Sequence, residues 1–510
     1  DEILVGSLFG QSIYGVDPVT GASRVLVPPP YGAADGLVLD EQSRLVWTSM
    51  YTGAVYRQEP DGRIKTLAEG LPGVNGLAFD KKGRLFVSQV FLGDALYEID
   101  VNGVSPPRKI LENIGGLNGF DFDGKGKLYG PLWFKGQVVI VDVDSAEVTV
   151  LSDDLTRPSA VKFDQQGRLW VVDTGAGELL RMNVQTGTVE ASISLPTGMD
   201  NLAFDRANTA YVSVFADNAI HKVDVGSERA YPLMAYPLAF PSDIALLESK
   251  GQSLVYVADT FSVKEFDVAG VGVRSVIRGG EQPLYSAGSG IDVDENHIYL
   301  AGGNVVDVLD RKTGAVLNHH QGIAGATDVI GLSRNDLIVS LADKGEVWRI
   351  TGNDRWPIAS GLPGAGAMIR DGPGSVLVSL RHAGEVVSLV IETGEVEVVA
   401  RNLLAPEGMV MLSNCKLLIA ETGRKQLSVI NTDSGELVRH LKKLPIDLPY
   451  IHSDHAAGPL TGLVVLTSGD VLMSSDVEDA LYRVNVQGDL MPEPNNDLCQ
   501  SAENVLENKQ

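Results

Sequence analysis

Five side chains at one recurring position of the sequence carry oxygen atoms that suit a cation. The position precedes the first strand of a repeated unit and is occupied by Asp35, Asn75, Asn118, Ser159 and Asp200. Carboxylate and amide oxygens are the ligands that hard cations prefer, and calcium takes roughly six to eight of them, often with water completing the shell. Two carboxylates would offset the charge of the ion, and two amides would add oxygens without further repulsion. We therefore predict that Asp35, Asn75, Asn118 and Asp200 bind one Ca²⁺.

The same position has a second interpretation that needs no metal. Small polar residues there would satisfy the backbone ends of strands that face a wet channel. The corresponding positions in the C-terminal half carry only one charged group, and they are Ser289, Thr327, Gly366, Glu407 and Thr461. The contrast between the two halves favours a metal site in the first half.

The elements that would position these side chains are strands, because the surrounding phrase recurs about every 40 residues. Its early copies occupy residues 34–40, 74–80, 117–123, 158–164 and 199–205. A period of this length with four short strands per unit is typical of a β-propeller, in which equivalent positions of successive blades converge on one axis. The phrase ends in an Asp that we expect to cap a turn through its side chain, at Asp40, Asp80, Asp123, Asp164 and Asp205.

The number of repeats predicts the fold class and the domains. Twelve blade equivalents are found when residues 3–27 are counted as a blade without its inner strand. Propellers usually carry about four to eight blades, so we predict an all-β chain of two tandem six-bladed β-propellers. We expect the strand near residues 244–247 to supply the missing inner strand of the first ring. The first propeller, with the metal and active site, would then occupy 1–248, the second 249–490, and a C-terminal tail 491–510.

The charge balance excludes two classes of partner. Lys and Arg total 41 against 66 for Asp and Glu, a formal net charge of −25. Such a surface repels phosphate backbones and anionic lipid, so we expect neither nucleic acid nor a membrane as partner. No apolar run approaches the roughly 18 residues that span a bilayer. The sequence does not define an oligomeric state.

The N-terminus and the cysteines bear on localisation. The chain begins at Asp1 without Met, which fits a processed or recombinant N-terminus, and removal of a secretory signal is one explanation. We therefore expect a secreted or periplasmic protein. The only cysteines are Cys415 and Cys499. They form either one disulfide that holds the C-terminal tail or two unrelated thiols.

Large aromatic side chains occur in the turns between the second and third strands of the first ring. These turns lie near the predicted axis site, and an apolar wall around a few polar groups is typical of a small-molecule pocket. The alternative is that the aromatic rings pack between neighbouring blades. We predict that a small-molecule substrate contacts Tyr51, Phe91, Trp133, Phe134, Ser159, Phe215 and Phe261.

The second half offers weaker sites. One carboxylate, Glu407, is a poor cation cage among Ser, Thr and Gly. Arg381 and Glu421 lie in turn positions that hold aromatic residues in the first half, where they form either a polar pocket or solvated turns. The His452-Ser-Asp454-His455 cluster would suit a transition metal, or it is simply part of a loop that covers one mouth of the channel.

At these residues the sequence resembles a known family. The Asn-Gly phrases at Asn75 and Asn118, with Asp200 in the same register, resemble calcium-dependent six-bladed propeller hydrolases of the senescence marker protein/gluconolactonase group. Diisopropyl fluorophosphatase and paraoxonase are more distant relatives, and NHL-type binding propellers share the scaffold phrase. The resemblance covers about half the chain. It implies that Asn75 and Asn118 are amide ligands, that Asp200 is a ligand and the catalytic base or nucleophile, and that Asp35 stands where the family often has Glu.

The leading functional hypothesis is a calcium-dependent hydrolase acting on a small, partly apolar lactone, ester or phosphoester. The metal would polarise the substrate and activate water, and Asp200 would act as base if coordination leaves one of its oxygens free. Two alternatives remain at this point. One is a non-catalytic binding or scaffold protein. The other is a lyase or synthase on the same scaffold, similar to virginiamycin lyase or strictosidine synthase, because a fold does not determine its chemistry.

Overall fold

The structure is a computed structural model that describes residues 2–269, 272–278, 289–447, 460–486 and 491–492. The chain forms two compact units. The first contains the described residues up to Pro237, and the second contains those from Leu238 onward. Both units consist of antiparallel β-sheets, and the described residues contain only two short 3₁₀ helices, Phe215–Asp217 and Thr422–Arg424. The chain is therefore all-β, as the sequence predicts.

The first unit contains six antiparallel sheets over its described residues, each built from strands that follow one another in the chain. The first sheet has three strands and the other five have four. The first three sheets are β1 (Ile3–Ser7), β2 (Ser12–Val16) and β3 (Ser23–Val27); β4 (Leu37–Leu39), β5 (Leu45–Ser49), β6 (Ala54–Gln58) and β7 (Ile64–Ala68); β8 (Val74–Phe79), β9 (Leu85–Gln89), β10 (Ala95–Ile99) and β11 (Arg108–Glu112). The next three are β12 (Asp121–Phe122), β13 (Leu128–Leu132), β14 (Gln137–Asp142) and β15 (Glu147–Ser152); β16 (Pro158–Phe163), β17 (Leu169–Asp173), β18 (Glu178–Met182) and β19 (Val189–Ser194); β20 (Met199–Phe204), β21 (Ala210–Val214), β22 (Ala219–Asp224) and β23 (Arg229–Ala235).

Successive sheets of the first unit pack face to face. One hydrophobic cluster joins β16–β19 to β20–β23 through Trp170, Leu179, Leu202 and Val212. Similar clusters lie between each earlier pair of sheets. The first strands β4, β8, β12, β16 and β20 each contact the next one in this series. This arrangement brings the residues that begin each first strand towards a common region.

The sheet at the end of the first unit also contacts the sheet at its beginning. Lys222 Nζ donates to the backbone carbonyl of Pro18 (3.2 Å). Gly21, with φ +72°, lies so close to the carbonyl oxygen of Leu233 that a Cβ there would be 2.5 Å from it. Both contacts join the β2–β3 turn to the β20–β23 sheet.

The predicted turn caps are confirmed. Asp80 Oδ1 accepts hydrogen bonds from the backbone N–H groups of Lys82 and Arg84, both at 2.9 Å. The other four aspartates also accept backbone N–H groups of their own turns: Asp40, Asp123, Asp164 and Asp205. These carboxylates therefore fix the turn between the first and second strands of the five four-stranded sheets.

The second unit begins with a four-stranded sheet and continues with a six-stranded one. Their strands are β24 (Pro241–Ser249), β25 (Gln252–Asp259), β26 (Ser262–Asp267) and β27 (Val273–Arg278), then β28 (Gly290–Val293), β29 (His297–Asp310), β30 (Val316–Ser333), β31 (Asp336–Leu341), β32 (Glu346–Thr351) and β33 (Asp354–Ser360). Three further sheets follow: β34 (Ala365–Arg370), β35 (Ser375–Leu380), β36 (Glu385–Val390) and β37 (Val396–Ala400); β38 (Pro406–Ser413), β39 (Lys416–Glu421), β40 (Gln426–Asn431) and β41 (Leu437–Lys442), joined by β45 (Met491–Pro492); and β42 (Leu463–Val465), β43 (Val471–Ser475) and β44 (Ala480–Val484).

Two long strands merge two repeats in the six-stranded sheet. The first part of β29 pairs with β28, whereas residues 305–309 pair with the first part of β30. The second part of β30, from Ala326, pairs with β31. The sheet therefore contains two blade equivalents joined by continuous strand, and the second unit contains six equivalents in its described residues.

The prediction that residues 244–247 supply the missing inner strand of the first ring is wrong. These residues belong to β24, which pairs with β25 in the second unit. Inside that unit β24 contacts the last sheet, because the backbone N–H of Leu460 donates to Ser242 Oγ (2.8 Å) and a Cβ on Gly462 would lie 2.4 Å from the nitrogen of Ile244. The chain consequently divides between Pro237 and Leu238 and not at residue 248.

The remaining observations concern membrane-spanning helices and the two cysteines. No helix in the described part is long and apolar enough to cross a membrane. Cys415 is disulfide-bonded, so the alternative of two free thiols is wrong for this residue. Its only possible partner within the chain, Cys499, lies outside the described residues, as does most of the predicted tail.

Candidate metal and substrate site

The five predicted axis residues all lie at the beginning of the first strand of a sheet. Asn75, Ser159 and Asp200 are the second residues of β8, β16 and β20, while Asp35 and Asn118 precede β4 and β12 by a few residues. The backbone N–H of Asp35 donates to the carbonyl of Thr48 in the second strand (3.0 Å), and that of Asn118 donates to Pro131 (3.1 Å). The second strand therefore holds Asp35 and Asn118 in place, whereas Asn75, Ser159 and Asp200 fall within irregularities of the strand pairing.

Contacts at glycines bring consecutive axis residues together. Gly36 and Gly76 each follow an axis residue directly. A Cβ on Gly36 would lie 2.7 Å from the carbonyl oxygen of Asn75, and one on Gly76 would lie 2.6 Å from that of Asn118. Because such distances exclude a side chain, the Asn-Gly phrase that recurs in the sequence reflects close approach of neighbouring first strands.

The remaining contacts link Asn118 to Ser159 and Ser159 to Asp200. We call this linked series of axis residues the axis circuit. Gly119 donates its N–H to the carbonyl of Ser159 (3.0 Å), and Ser159 Oγ donates to the carbonyl of Asp200 (2.6 Å). Contacts between neighbours thus link the five predicted axis residues one after another along the series of first strands.

Three acceptor oxygens of the axis residues have no partner. Among the described residues, Asp35 Oδ1, Asn75 Oδ1 and Asn118 Oδ1 are buried and receive no hydrogen bond. A buried acceptor without a partner costs about 1–3 kcal/mol, and native proteins rarely leave one. Asn75 and Asn118 are only 3% and 2% exposed. Three such oxygens in one place are what a bound cation would explain.

Burial also raises the pKa of both carboxyl groups. It raises the pKa of Asp200 to about 6, and a hydrogen bond from Asn201 Nδ2 to Asp200 Oδ2 (3.1 Å) partly opposes the shift. The pKa of Asp35 lies well above its ordinary value because of burial and then because of Asp200. A cation between them would remove both the desolvation cost and the mutual repulsion.

The residues present fit a hard divalent cation. The described part of the chain contains no group of three or more His, Cys, Asp or Glu side chains placed to hold a metal. The set here has instead two carboxylates and two amides, all oxygen donors, which suits Ca²⁺ and not the transition metals that prefer nitrogen or sulfur.

Ser159 lies in the circuit but has a different role from its neighbours. It is fully buried; its hydroxyl donates to the Asp200 carbonyl and accepts a hydrogen bond from Thr174 Oγ1 (2.9 Å). Both hydroxyl contacts are therefore made within the protein. This serine holds β20 against β16, and it was predicted as a pocket residue only because its position in the phrase resembles that of the ligands.

The structure groups three of the predicted aromatic residues and separates the others. The ring of Phe91 meets that of Trp133 at 5.6 Å and that of Phe134 at 5.8 Å, both edge to face. Tyr51 instead packs on Phe9, with ring centroids 5.9 Å apart, and Phe215 begins a 3₁₀ helix after β21. Phe261 follows β25 and belongs to the second unit, so its assignment to the first ring is wrong.

The aromatic cluster lies at the same end of the strands as the axis residues. Val90, the neighbour of Phe91, donates its N–H to Gly73 (2.8 Å), and Trp133 donates to Gly116 (2.9 Å). Gly73 and Gly116 stand two residues before Asn75 and Asn118. The cluster therefore lies beside the segments that carry Asn75 and Asn118.

The sequence analysis does not predict one residue beside the aromatic cluster, Arg157. Arg157 stands two residues before Ser159, and its guanidinium lies over the ring of Trp133 at 5.6 Å. The other positions two residues before an axis residue hold Ala33, Gly73, Gly116 and Gly198. A single long cation in a series of Gly and Ala was the signal that could have identified it.

The axis of the second unit is organised differently. Asp243 and Asp328 follow the axis positions, where the first unit often has Gly. Asp328 Oδ2 accepts the N–H of Met368 (2.6 Å), and Asp243 Oδ2 accepts that of Ile291 (3.2 Å). Burial raises the pKa of Asp243 to about 7 and that of Asp328 well above its ordinary value. These carboxyl groups are used in joining neighbouring strands.

The predicted polar groups of the second unit that lie in the described residues have partners within the protein. Arg381 forms an ion pair with Glu407, whose second oxygen accepts the N–H of Thr461 (2.9 Å). Glu421 accepts hydrogen bonds from Leu404 N (2.9 Å) and Gln426 Nε2 (2.6 Å). The His452, Asp454 and His455 cluster lies outside the described residues.

Comparison with known proteins adds similarities but no assignment. No family model and no curated protein matches the chain. Among solved structures, virginiamycin B lyase from Staphylococcus aureus is 12% identical and matches 52% of this chain and 90% of its own, with a TM-score of 0.34. A protein assigned as a gluconolactonase is 16% identical over 48% of this chain and 89% of its own (TM-score 0.35). The extracellular domain of a one-component system from B. thetaiotaomicron is 12% identical over 95% and 68% (TM-score 0.33).

Proposed function

We propose that the first unit binds one Ca²⁺ through Asp35, Asn75, Asn118 and Asp200. At this site it hydrolyses a small, partly apolar lactone, ester or phosphoester. The observation that carries the proposal is the meeting of three unpaired buried oxygens with two carboxyl groups of raised pKa. No hydrogen bond within the described residues accounts for those oxygens, whereas a hard cation would account for all of them together.

The proposal includes two tandem six-bladed β-propellers as the scaffold. Six blade equivalents in each unit support it, as do the contacts between successive first strands. In each unit the last sheet also contacts the first, through Lys222 and Pro18 in one and Leu460 and Ser242 in the other. A ring of blades requires such closing contacts.

The chain's own residues have distinct parts in the chemistry. When bound, Ca²⁺ supplies Lewis-acid polarisation of a carbonyl or phosphoryl oxygen. Asp200, with a pKa of about 6, is suited to accept the proton that water loses as it attacks that carbon or phosphorus atom. Asn201 donates to Asp200 Oδ2 and orients the carboxyl group. The bond to the leaving oxygen then breaks, and that oxygen takes up a proton.

The localisation proposed is extracellular or periplasmic. The disulfide at Cys415 supports it, because structural disulfides persist in oxidising compartments. Calcium is also bound there by sites of modest affinity, with Kd of roughly 10⁻⁴–10⁻³ M.

Calcium binding is tested by thermal unfolding of the full chain with excess Ca²⁺ and with chelator. A ligand at about 100 times its Kd stabilises the native state by about 2.7 kcal/mol, which raises Tm by roughly 5–10 °C for a unit of this size. We expect this rise for the natural sequence and its loss in Asp200→Asn, which keeps the shape of the side chain and removes its charge.

The matched control is Asp205→Asn, because Asp205 directly follows β20, the strand that begins with Met199 and Asp200. Asp205 accepts the N–H of Thr209 (2.8 Å) and the hydroxyl of Tyr211 (3.1 Å) and lies outside the circuit. We expect a lower Tm but an unchanged response to Ca²⁺. A panel of lactones, aryl esters and phosphotriesters, assayed with and without Ca²⁺, tests the reaction. Absence of any calcium effect on Tm would refute the metal site, and binding without turnover would refute the hydrolase.

A further inference from the structure

The backbone of Arg157 is held in place beside the axis residue Ser159. Its N–H donates to Asp173 Oδ1 (2.8 Å), and its carbonyl accepts the N–H of Thr174 (3.1 Å). Thr174 Oγ1 in turn donates to Ser159, so the segment is tied directly to the axis circuit. The base of the side chain is therefore held by the same contacts that hold the axis residues.

The guanidinium of Arg157 has an aromatic partner but no anionic one. It lies over the face of Trp133 at 5.6 Å, and no carboxylate of the described residues is within ion-pair distance of it. Most other arginines in the described parts of the chain pair with an Asp or Glu, as expected for a net charge of −25. A partly buried cation that stays unpaired in so acidic a protein remains available for an anionic ligand.

The rings beside Arg157 form an exposed apolar surface. Phe91 is 47% exposed and Phe134 is 60% exposed, although both contact aromatic rings on one side. Phe91 also has a φ of +67°, which is unfavourable for a residue with a bulky side chain. The backbone conformation at Phe91 thus directs an aromatic side chain into the cluster despite its conformational cost.

We propose that Arg157 and the rings of Phe91, Trp133 and Phe134 form a subsite for an aromatic anion, a planar apolar ring that carries a carboxylate. The rings stack against the apolar part, and the guanidinium pairs with the carboxylate. Arg offers a planar pair of donors that matches a carboxylate, and its contact with the indole pre-orients it. This inference rests on the proposed function, since the subsite would bind the non-reacting part of the substrate and so defines its class.

The test compares 2-naphthoate with 2-naphthamide, which has the same ring and no charge. Binding to the full chain is measured by calorimetry and by tryptophan fluorescence, in chelator and in Ca²⁺. In chelator we expect the natural sequence to bind the carboxylate at least about tenfold more tightly than the amide. Arg157→Met should abolish this preference, and Trp133→Leu should weaken both ligands together.

Two control variants assign the effect to Arg157. Arg168→Met removes a guanidinium that also lies over an indole, Trp170 at 6.0 Å, in the same β16–β19 sheet, but that one pairs with Asp164 (2.6 Å). Lys135→Met removes an exposed cation in the turn of Trp133. Both should keep the preference for the carboxylate. A preference that survives Arg157→Met, that is lost in Lys135→Met, or that is absent from the natural sequence would overturn the subsite.

The subsite and the proposed hydrolase are distinguishable by these measurements. If the preference for the carboxylate depends on Arg157 in chelator but no ester is hydrolysed in Ca²⁺, the subsite stands and the hydrolase fails. If esters are hydrolysed with Ca²⁺ but the neutral and charged aromatic ligands bind equally, the hydrolase stands and the subsite is refuted.

Discussion

The amide oxygens of Asn75 and Asn118 show how a single atom can indicate a ligand. Each side chain could satisfy its oxygen with a backbone N–H, as the turn aspartates do throughout the first unit. Neither does so within the described residues. The sequence predicted the identity of these residues but could not predict their lack of partners, because that depends on which donors the neighbouring strands present. The structure supplies that information.

The pH dependence of calcium binding follows from the carboxyl groups of the site. A carboxyl group whose pKa is raised in the folded state holds its proton to higher pH, and a metal must displace that proton. With the pKa of Asp200 at about 6 and that of Asp35 also raised, we expect Ca²⁺ affinity to fall at least tenfold between pH 7.5 and pH 5. Calorimetry in two buffers of different ionisation enthalpy measures both the affinity and the protons released.

Lowering the pH weakens calcium binding, but in the absence of calcium its effect on Asp35 and Asp200 stabilises the folded protein. Between about pH 4 and pH 6 the folded state then binds more protons than the unfolded state, so these two groups make the protein less stable as the pH rises through this range. Added Ca²⁺ should reverse this trend above pH 6. Equal calcium affinity at both pH values would contradict the assignment of Asp35 and Asp200 as ligands.

At the scale of the elements, carboxylates on the first strands of the blade equivalents join one blade equivalent to the next. Asp121 Oδ2 accepts the N–H of Phe163 in the first unit (3.0 Å), and Asp292 Oδ2 accepts that of Gly331 in the second (2.9 Å). Asp243 and Asp328 make equivalent contacts. The first strands of neighbouring blade equivalents do not pair with each other, so these side chains accept backbone N–H groups across the gap between them.

We expect Asp121→Ala to lower the free energy of unfolding by about 1–3 kcal/mol, because it leaves the N–H of Phe163 and of Phe122 without their acceptor. Denaturant unfolding followed by fluorescence measures the change. Asp153→Ala is the matched control, since Asp153 is exposed and its loss should change stability by less than about 0.5 kcal/mol. Equal effects of the two substitutions would show that Asp121 does not join the strands.

The sequence predicted which segments form strands better than it predicted which unit each strand belongs to. The hydrophobic runs and the turn aspartates defined most strands, since both are local signals. The assignment of β24 failed because an inner strand has the same pattern whichever ring it joins, and only its pairing with β25 decides. The merged strands β29 and β30 were missed for a similar reason, because continuous strand between two repeats leaves no separate turn to recognise.

At the scale of the whole molecule, contacts between the first and last sheets should contribute to the stability of each unit. Gly21 in the first unit lies against the carbonyl of Leu233, whereas Gly62 has nothing within 4 Å, and both have positive φ. Ala at either position costs about 1 kcal/mol through its backbone conformation. We expect Gly21→Ala to cost about 2 kcal/mol more than Gly62→Ala in thermal or denaturant unfolding.

The comparison isolates the contact because the conformational cost is common to both variants. Equal destabilisation would mean that the last sheet is not packed against the first in solution. The result bears on the first unit alone, which in its described residues has a three-stranded sheet at this junction.

The carboxyl groups beside the axis positions of the second unit make the two units differ in how their stability should respond to calcium. Asp243 and Asp328 accept backbone N–H groups, whereas in the described residues of the first unit Asp35 Oδ1, Asn75 Oδ1 and Asn118 Oδ1 accept no hydrogen bond and would be satisfied by the proposed Ca²⁺. In a calcium-depleted medium the N-terminal half would therefore loosen while the C-terminal half keeps its structure. Denaturation would separate into two steps whose spacing reports the dissolved calcium, and the chain would behave as a responsive module covalently joined to a constant one.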